Sequence, residues 1–445
     1  MITLLNKIRQ AVINKPIRSI VIVIIVSLLL PIVAGVLVGH INNWFTSHET
    51  RTIQQSKWWA QIREADMLLM EGMAEEALNL YDEISKDVSP AREPDVYAYI
   101  NYIEGMTYYQ LSLAYDKEEN LIRAIAKYEQ ALTVYSEKKH PLEYAAVQKG
   151  MGNAYASLSE IRNKEDNLLR GIECQSRALV IYTQDRYPLE YAAVQNNLGN
   201  AFRALSEVRD PEENLAKSIQ AYEQALHIYD ARNCFHERAL VQNNLTVAYT
   251  SLSKIRDREV NLRQAILLGE QALEEFTIEK YPVDYARAQS NLGNAYTDLF
   301  WVTQKEDYIT KAIDAYEQAL CIRIIELYPR DHATTEVNLA TAYAAMSHIR
   351  DREFYLSKAI SACQNALMVY SVDKEPLTYA QIQNNLGKNY QDLSEIRDTK
   401  DNLAKAIDAY EQALRIFTQD KYPDSHTKVM NNLVSAKNCL ESLDE

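Results

Sequence analysis

Proline recurs at a fixed spacing of 47 residues through most of this chain of 445 residues. Seven prolines share the register, and Phe235 stands at the one position where proline is missing: Pro94, Pro141, Pro188, Pro282, Pro329, Pro376 and Pro423. Ile219, Phe202 and the pair Ala225-Leu226 have counterparts in the same register. Self-similarity at a fixed period is the signature of repeat architectures. The spacing therefore predicts seven similar units in series.

Each unit is predicted to contain two helices, as the unit that begins at Pro188 illustrates. Proline suits the first turn of a helix, and the apolar residues Leu198, Phe202 and Leu205 follow at helical spacing. We expect this first helix to end near Val208. One such helix pair cannot bury both of its faces alone, so its stability must come from stacking on neighbouring pairs.

The second helix of each unit is predicted to follow a charged connector, residues 209–213 in this example. Asn214 is placed to cap the helix through its side-chain oxygen, and asparagine recurs at equivalent positions in other units. Ile219, Tyr222 and Ala225 then form its apolar face at helical spacing. With only 11 glycines and 11 prolines in the whole sequence, long helices are favoured throughout, and we expect an all-α protein.

Charge and cysteine usage exclude several classes of partner and site. The formal net charge is −14, and phosphate binding needs basic surface, so we expect no nucleic-acid partner. The five cysteines lie far apart with no CxxC pair. We interpret them as buried apolar residues, and we expect neither a zinc site nor a disulfide framework.

An apolar segment near the N-terminus resembles a membrane anchor. Residues 20–38 contain Ser27 as their only polar member, and they could cross a hydrocarbon core of about 30 Å as a helix. Four Lys or Arg residues precede this segment, while Arg51 and Lys57 follow it. This bias predicts a single-pass membrane protein, held in the membrane through residues 19–40, with a cytoplasmic N-terminus and the array on the outer (periplasmic or extracellular) side.

Residues 196–202 read Asn-Asn-Leu-Gly-Asn-Ala-Phe, and Ile219, Tyr222 and Ala225-Leu226 follow them. These residues resemble the tetratricopeptide repeat (TPR), whose consensus sets Leu-Gly and an aromatic on its first helix and Ala, an aromatic and Ala-Leu on its second. The resemblance implies a right-handed, TPR-like superhelical solenoid, preceded here by one transmembrane helix.

The units depart in length from the usual TPR of about 34 residues. Long units of this kind look like the bacterial arrays that are often fused to caspase-like (CHAT) protease domains, but no residues of such a domain follow here. The expected organisation is a basic segment 1–18, a transmembrane helix 19–40, a juxtamembrane linker 41–57, a first repeat 58–93, seven 47-residue repeats 94–422 and a capping helix 423–445.

Asparagines form two rows on the first helices. Asn197 lies about 100° around its helix from the core residue Leu198, and Asn200 follows on the face of Asn197. Amides can pair with the backbone of an extended peptide, and the resemblance implies that first helices line a concave groove. The alternative is that these side chains bond neighbouring helices or water. The candidate peptide-binding residues are Asn153, Asn197, Asn200, Asn244, Asn291, Asn294, Asn338, Asn385 and Asn432.

A carboxylate clamp, by which some TPR domains hold a peptide C-terminus, is matched only in part. Lys149, Asn153 and Asn197 agree with its first three positions, but Leu240 and Asn244 stand where the clamp has Lys and Arg. Because an anionic terminus needs charge-assisted donors, we do not expect this site.

The sequence offers no catalytic motif. It has no GxxxxGK[ST], HExxH, GxSxG or GxGxxG. His332 and His426 stand where other units have a tyrosine such as Tyr191, which marks them as packing substitutes. We therefore expect no enzyme activity, no cofactor, no catalytic residue and no metal ligand.

The expected function is that of a membrane-anchored TPR scaffold that binds protein partners or extended peptide segments, and the resemblance to bacterial single-span proteins of this layout implies a role in envelope assembly or quality control. Two alternatives stay open. The array could be a regulatory sensor that controls a separate protease or toxin-like effector, or it could be a structural protein that self-associates.

Overall fold

The computed structural model describes residues 57–443. This part of the chain contains 17 α-helices and no strand, which confirms the all-α prediction. It divides between Asn233 and Cys234 into two compact units. The N-terminal unit contains α1 (Trp59–Met70), α2 (Ala74–Ser85), α3 (Pro94–Leu111), α4 (Lys117–Ala131), α5 (Pro141–Leu158), α6 (Lys164–Leu179), α7 (Pro188–Leu205) and α8 (Pro211–Ala231).

The C-terminal unit continues the same pattern of helix pairs. It contains α9 (Phe235–Leu252), α10 (Arg258–Glu275), α11 (Pro282–Thr303), α12 (Glu306–Leu320), α13 (Pro329–Ser347), α14 (Arg352–Leu367), α15 (Pro376–Ser394), α16 (Thr399–Leu414) and α17 (Pro423–Glu441). All seven register prolines, and Phe235, are first residues of helices. Short connectors make consecutive helices pack as antiparallel pairs, which is the TPR-like helical repeat.

The start of each second helix differs from our expectation. Asn214 lies inside α8, where its Nδ2 donates a 2.7 Å hydrogen bond to the carbonyl of Arg209. The N-cap position is held by Asp210, whose φ of 41° is left-handed. Aspartate and asparagine tolerate this conformation better than most residues. The prediction of a cap through the Asn214 oxygen is therefore wrong, because the amide instead secures the connector to the helix. The preceding helix ends at Leu205, three residues short of Val208.

The connectors of each unit are joined by ion pairs along one edge. In each pair, an arginine that follows the first helix of one repeat contacts a glutamate in the first turn of the second helix of the preceding repeat, 44 residues earlier. The pairs are Arg162 with Glu118 (3.0 Å), Arg209 with Glu165 (3.3 Å), Arg350 with Glu306 (3.1 Å) and Arg397 with Glu353 (3.1 Å). The partners are about half exposed. Exposed pairs contribute less than about 1 kcal/mol each, so stacking of the apolar faces must stabilise the array.

The core is polar where α12 is linked to α13. Arg323 stands where the equivalent residues are buried aromatics: Tyr135, Tyr182, Tyr229, Phe276, Tyr370 and Phe417. Its Nη1 donates a 2.8 Å hydrogen bond to Thr335, which replaces an aliphatic core residue. Nδ1 of His332 bonds the Arg323 carbonyl at 2.7 Å. Burial lowers the pKa of Arg323.

Buried carboxylates mark the first helices of the N-terminal unit. Asp66 is 2% exposed and accepts hydrogen bonds from the hydroxyls of Tyr81 and, at 2.9 Å, Tyr99. Burial raises its pKa to about 6. Glu104 is fully buried and its Oε2 lies 2.7 Å from Nζ of Lys127, while burial raises the pKa of Glu104 to about 7. Burial disfavours the charged form of each carboxyl group and thereby lowers the free energy of unfolding at neutral pH.

The membrane prediction requires correction. No helix within residues 57–443 combines the length and apolarity that crossing a bilayer requires. These helices expose polar and charged residues along one face, as amphipathic helices of a solenoid do. The predicted transmembrane helix 19–40 lies outside the described residues, as do segments 1–18 and most of 41–57. The localisation as a single-pass membrane protein is therefore withdrawn.

The cysteines are all free thiols, but only two follow the predicted burial. Cys174 and Cys363 are buried, whereas Cys234 is half-buried and Cys321 and Cys439 are exposed. The interpretation of all five as core residues is therefore wrong. Cys321, for example, lies at the C-terminal end of α12, where the chain leaves the helix stack.

Candidate functional site

In the N-terminal unit, the predicted asparagines bond across helices. Nδ2 of Asn197 on α7 donates a 2.8 Å hydrogen bond to Oδ1 of Asn153 on α5. The same oxygen accepts a 2.8 Å bond from Nε2 of Gln175 on α6. Oδ1 of Asn200 accepts a 2.6 Å bond from the hydroxyl of Tyr222 on α8. All three asparagines are half-buried.

The C-terminal unit repeats this arrangement around Asn294. Its Oδ1 accepts a 2.7 Å bond from the hydroxyl of Tyr316 on α12 and a 3.0 Å bond from Nδ2 of Asn338 on α13. Nδ2 of Asn291 donates a 3.0 Å bond to Asn243 on α9. The side-chain amide of Asn294 is therefore hydrogen-bonded from both α12 and α13, and these two bonds fix its orientation.

The remaining three candidates are also half-buried. Asn432 donates a 3.2 Å bond to Oδ1 of Asn384, and Asn385 has no hydrogen bond within the described part of the chain. Asn244 lies at the equivalent position of α9. Several of these asparagines thus bond a neighbouring helix through one atom of the side-chain amide, as the alternative interpretation of the asparagine rows predicts.

The other end of each bonded amide has no protein partner among residues 57–443. The Oδ1 atom of Asn294 accepts hydrogen bonds from other helices, and its Nδ2 group has no partner among these residues. Asn338 donates through its Nδ2 group, and its Oδ1 atom has no partner among them. Neighbouring helices therefore present a donor and an acceptor side by side. An extended backbone presents the complementary acceptor and donor.

Glycine in the first helix lets the second helix position these amides. An added Cβ at Gly293 would lie 2.7 Å from the Tyr316 ring, and one at Gly199 would lie 2.5 Å from the Tyr222 ring. Only the absence of a side chain therefore lets each ring cross the first helix and place its hydroxyl beside an asparagine. Where the second helix carries Gly269 instead, the first helix carries Thr246.

A cleft of about 370 Å³ opens beside this network in the C-terminal unit. Three predicted asparagines line it, together with the hydroxyl-bearing Tyr316 and side chains that the sequence analysis did not select. Its lining residues are Val247, Thr250, Ser251, Lys254, Asn291, Asn294, Thr297, Asp298, Trp301, Tyr316, Asn338 and Thr341. Volume and mixed polarity suit part of a peptide segment.

Asp298 and Trp301 are the cleft residues that sequence reasoning missed. They follow Asn294 on α11 by four and seven residues, so helical periodicity places all three on one face. Burial raises the pKa of Asp298, against the opposing effects of Lys254 and Arg258. The signal in the sequence was that Trp301 differs from the equivalent residues of the other repeats, and that Asp298 is shared only with Asp392.

The residues around Lys149 do not form a carboxylate clamp. Burial lowers the pKa of this amine, and Glu190 opposes that shift. The oxygen of Asn153, its presumed companion, is occupied by Gln175 and Asn197. Among the described residues, no group of three or more His, Cys, Asp or Glu side chains is placed to hold a metal ion.

Comparison with known proteins gives a helical-repeat likeness and no family assignment. No protein-family model matches this chain, and no curated protein matches it. A Rap protein complexed with Competence and Sporulation Factor is 16% identical with a TM-score of 0.44, over 86% of this chain and 98% of that one. The apo quorum sensor NprR from B. thuringiensis is 14% identical with a TM-score of 0.46, over 85% and 98%.

A third solved structure, the TPR2AB domain of yeast Sti1 in complex with pHSP90, is 15% identical with a TM-score of 0.24, over 76% of this chain and 98% of that chain. At these TM-scores the similarities carry no argument about what this chain binds.

Proposed function

We propose that this protein is a non-enzymatic scaffold that binds extended protein segments, and that the cleft of the C-terminal unit is one of its binding surfaces. The supporting observation is the pairing of Asn294 with Asn338, two residues that line the cleft, which leaves one amide donor and one amide acceptor without a partner among the described residues. The asparagines of the N-terminal unit provide a second surface of the same kind.

Backbone recognition explains why amides suit this task. A polar side chain in a helix interior is unfavourable relative to alanine, so repeated asparagines cost helix stability unless they are used. Each amide that meets a peptide N–H or C=O gains a hydrogen bond worth about 0.5–1.5 kcal/mol. Several such bonds hold a segment without reading its side chains closely.

Phage display of random dodecamers against the full chain tests this proposal. The test variant is Asn291→Ala with Asn338→Ala, which removes two cleft amides. The control variant is Thr310→Ala with Ser357→Ala, whose hydroxyls bond only their own helices α12 and α14. We expect dodecamers selected on the wild type to lose at least about tenfold in affinity on the test variant and to bind the control variant normally.

Two results would overturn the proposal. Selection could return no dodecamer above background, or the recovered dodecamers could bind the test variant as tightly as the wild type. Circular dichroism of both variants shows whether the helices are intact. The alternative of a regulator that controls a separate effector uses the same surface, and the sequences of the selected dodecamers would identify candidate effector segments.

A further inference from the structure

Asp298 and Asp392 occupy the same register position on α11 and α15, 94 residues apart. The equivalent residues of the other first helices are uncharged: Gln110, Ser157, Ala204, Ser251, Ala345 and Cys439. The stacking of first helices therefore does not require a carboxylate here. Both aspartates are half-buried, and neither has a cationic partner within 4.0 Å in the described part of the chain. Burial raises the pKa of both groups.

Trp301 lies on the same face of α11, one turn beyond Asp298, and is 44% exposed. Its ring and that of Phe300 form an edge-type pair, with the ring centroids 5.2 Å apart and the ring planes inclined by 60°. An indole exposed to this extent within a polar cleft offers a face to a ligand. A cationic group over such a face is attracted by the negative electrostatic potential of the ring.

The cleft also contains the cation Lys254, which would favour an anionic ligand. Lys254 follows the end of α9, and Arg258, the other cation near Asp298, begins α10; both are exposed. Charges in water are screened, whereas the half-buried Asp298 carboxylate acts through a medium of lower dielectric constant. The local balance therefore favours a ligand cation, in agreement with the overall net charge of −14.

We propose that the cleft of the C-terminal unit selects segments with a basic side chain, which pairs with Asp298 and stacks on Trp301. This inference rests on the proposed function, because the asparagines must first hold the backbone of the segment. Arginine fits better than lysine, since its planar guanidinium can stack on an indole while donating to a carboxylate.

Asp392 extends the same preference along the ligand. Neighbouring packed helices lie about 8–10 Å apart, so two steps from α11 to α15 correspond to roughly 20 Å. An extended chain covers that distance in about six residues. The favoured segment would therefore carry two basic residues with about five residues between them.

Three synthetic dodecapeptides of alternating Ser and Ala test the inference. The first carries a central arginine, the second carries citrulline, its neutral isostere, and the third carries glutamate. Fluorescence anisotropy with the full chain measures each affinity. We expect the arginine peptide to bind about fivefold to tenfold more tightly than the citrulline peptide, and the glutamate peptide to bind most weakly.

Asp298→Asn should abolish the preference for arginine over citrulline, and Trp301→Leu should reduce it. Asp314→Asn, which removes an equal charge from an exposed position of α12, is the matched control and should preserve the preference.

Equal binding of the arginine and citrulline peptides, both weakened by Asn291→Ala with Asn338→Ala, would overturn the basic preference and leave the proposed function intact. A preference that survives Asp298→Asn would also overturn it. Absence of binding by all three peptides, or binding insensitive to the asparagine variant, would overturn both.

Discussion

The hydroxyl of Tyr316 donates a 2.7 Å hydrogen bond to Oδ1 of Asn294. Tyr316 is 1% exposed and packs in the core, and both Tyr316 and Asn294 are among the residues that line the cleft. One side chain thus connects the packing of α11 on α12 with the orientation of a candidate binding residue. Mutations in the core of this helix pair should therefore change binding as well as stability.

Gly293→Ala should destabilise the C-terminal unit and weaken peptide binding. Its Cβ would lie 2.7 Å from the ring of Tyr316, which is 1% exposed, so the ring would have to shift. Overpacking costs about 1–3 kcal/mol, against a gain of about 1 kcal/mol from replacing glycine in a helix. We expect a net loss of up to about 2 kcal/mol in the free energy of unfolding, measured by urea denaturation.

Gly269→Ala is the matched control, since it lies at the register position of Tyr316. Its Cβ would meet a methyl of Leu292 at 3.0 Å and Oγ1 of Thr246 at 3.3 Å, which is a milder approach than the 2.7 Å at Gly293. The free energy of unfolding should change by less than about 1 kcal/mol. Equal losses in the two variants would contradict the role assigned to the Tyr316 ring.

Arg323→Tyr combined with Thr335→Val should stabilise the protein. The two changes restore the residue types that other units carry at these positions, and they remove a partly buried guanidinium. Replacing a buried polar pair by packed apolar residues is often stabilising, and reversion to a consensus typically adds about 0.5–2 kcal/mol. Thermal unfolding monitored by circular dichroism would detect this as a higher Tm; a lower Tm would show that the polar cluster itself supports the α12–α13 link.

Asp66→Asn should change how stability depends on pH. The folded pKa of about 6 lies above the ordinary value of 3.8, so the folded state retains a proton that the unfolded state has lost. The free energy of unfolding therefore falls as pH rises from about 4 to about 6, by an amount on the order of 3 kcal/mol, and levels off above. Asp66→Asn should remove the part of the decline that Asp66 contributes and leave the part that Glu104 contributes, because burial raises the pKa of Glu104 to about 7.

The exposed Asp87→Asn is the control for the pH experiment and should leave the decline unchanged. Denaturant titrations between pH 4 and pH 8 supply the comparison. A wild-type protein whose stability rises with pH across this window would contradict the assignment to Asp66.

The ion pair of Glu104 with Lys127 replaces apolar residues that the other units carry at these positions. Glu104→Leu with Lys127→Ala should be neutral or stabilising, while Lys127→Ala alone should cost on the order of 3 kcal/mol, because it leaves a buried carboxylate without its cation. Urea denaturation at pH 8, above the folded pKa of Glu104, makes the contrast largest. Equal losses in the single and double variants would contradict this account.

The fold could be predicted from the sequence because its determinants are periodic. Pro188, Leu198 and Tyr222 recur in register, and each fixes a helix start or a buried face. The capping of second helices could not be predicted, since the side chain of Asn214 can act as acceptor or donor, and only the left-handed turn at Asp210 decides between them.

The site was predicted in part for the same reason. Recurrence revealed the asparagines, but it did not reveal Asp298 and Trp301, because most repeats carry other residue types at these two positions. The contact between Gly293 and Tyr316 could not be predicted either. It joins two helices, and the spacing of residues along one helix does not determine the distance to the next helix.

The central claim is that cleft amides bind a peptide backbone. Side-chain amide NMR of the full chain, labelled with 15N-asparagine, tests it most directly, with resonances assigned by single Asn→Asp variants. On addition of the arginine dodecapeptide, we predict shifts for the Nδ2 groups of Asn294 and Asn338 and none for Asn365, whose amide is bonded to Glu336 outside the cleft. Unchanged resonances of Asn294 and Asn338 at saturating peptide would contradict the account.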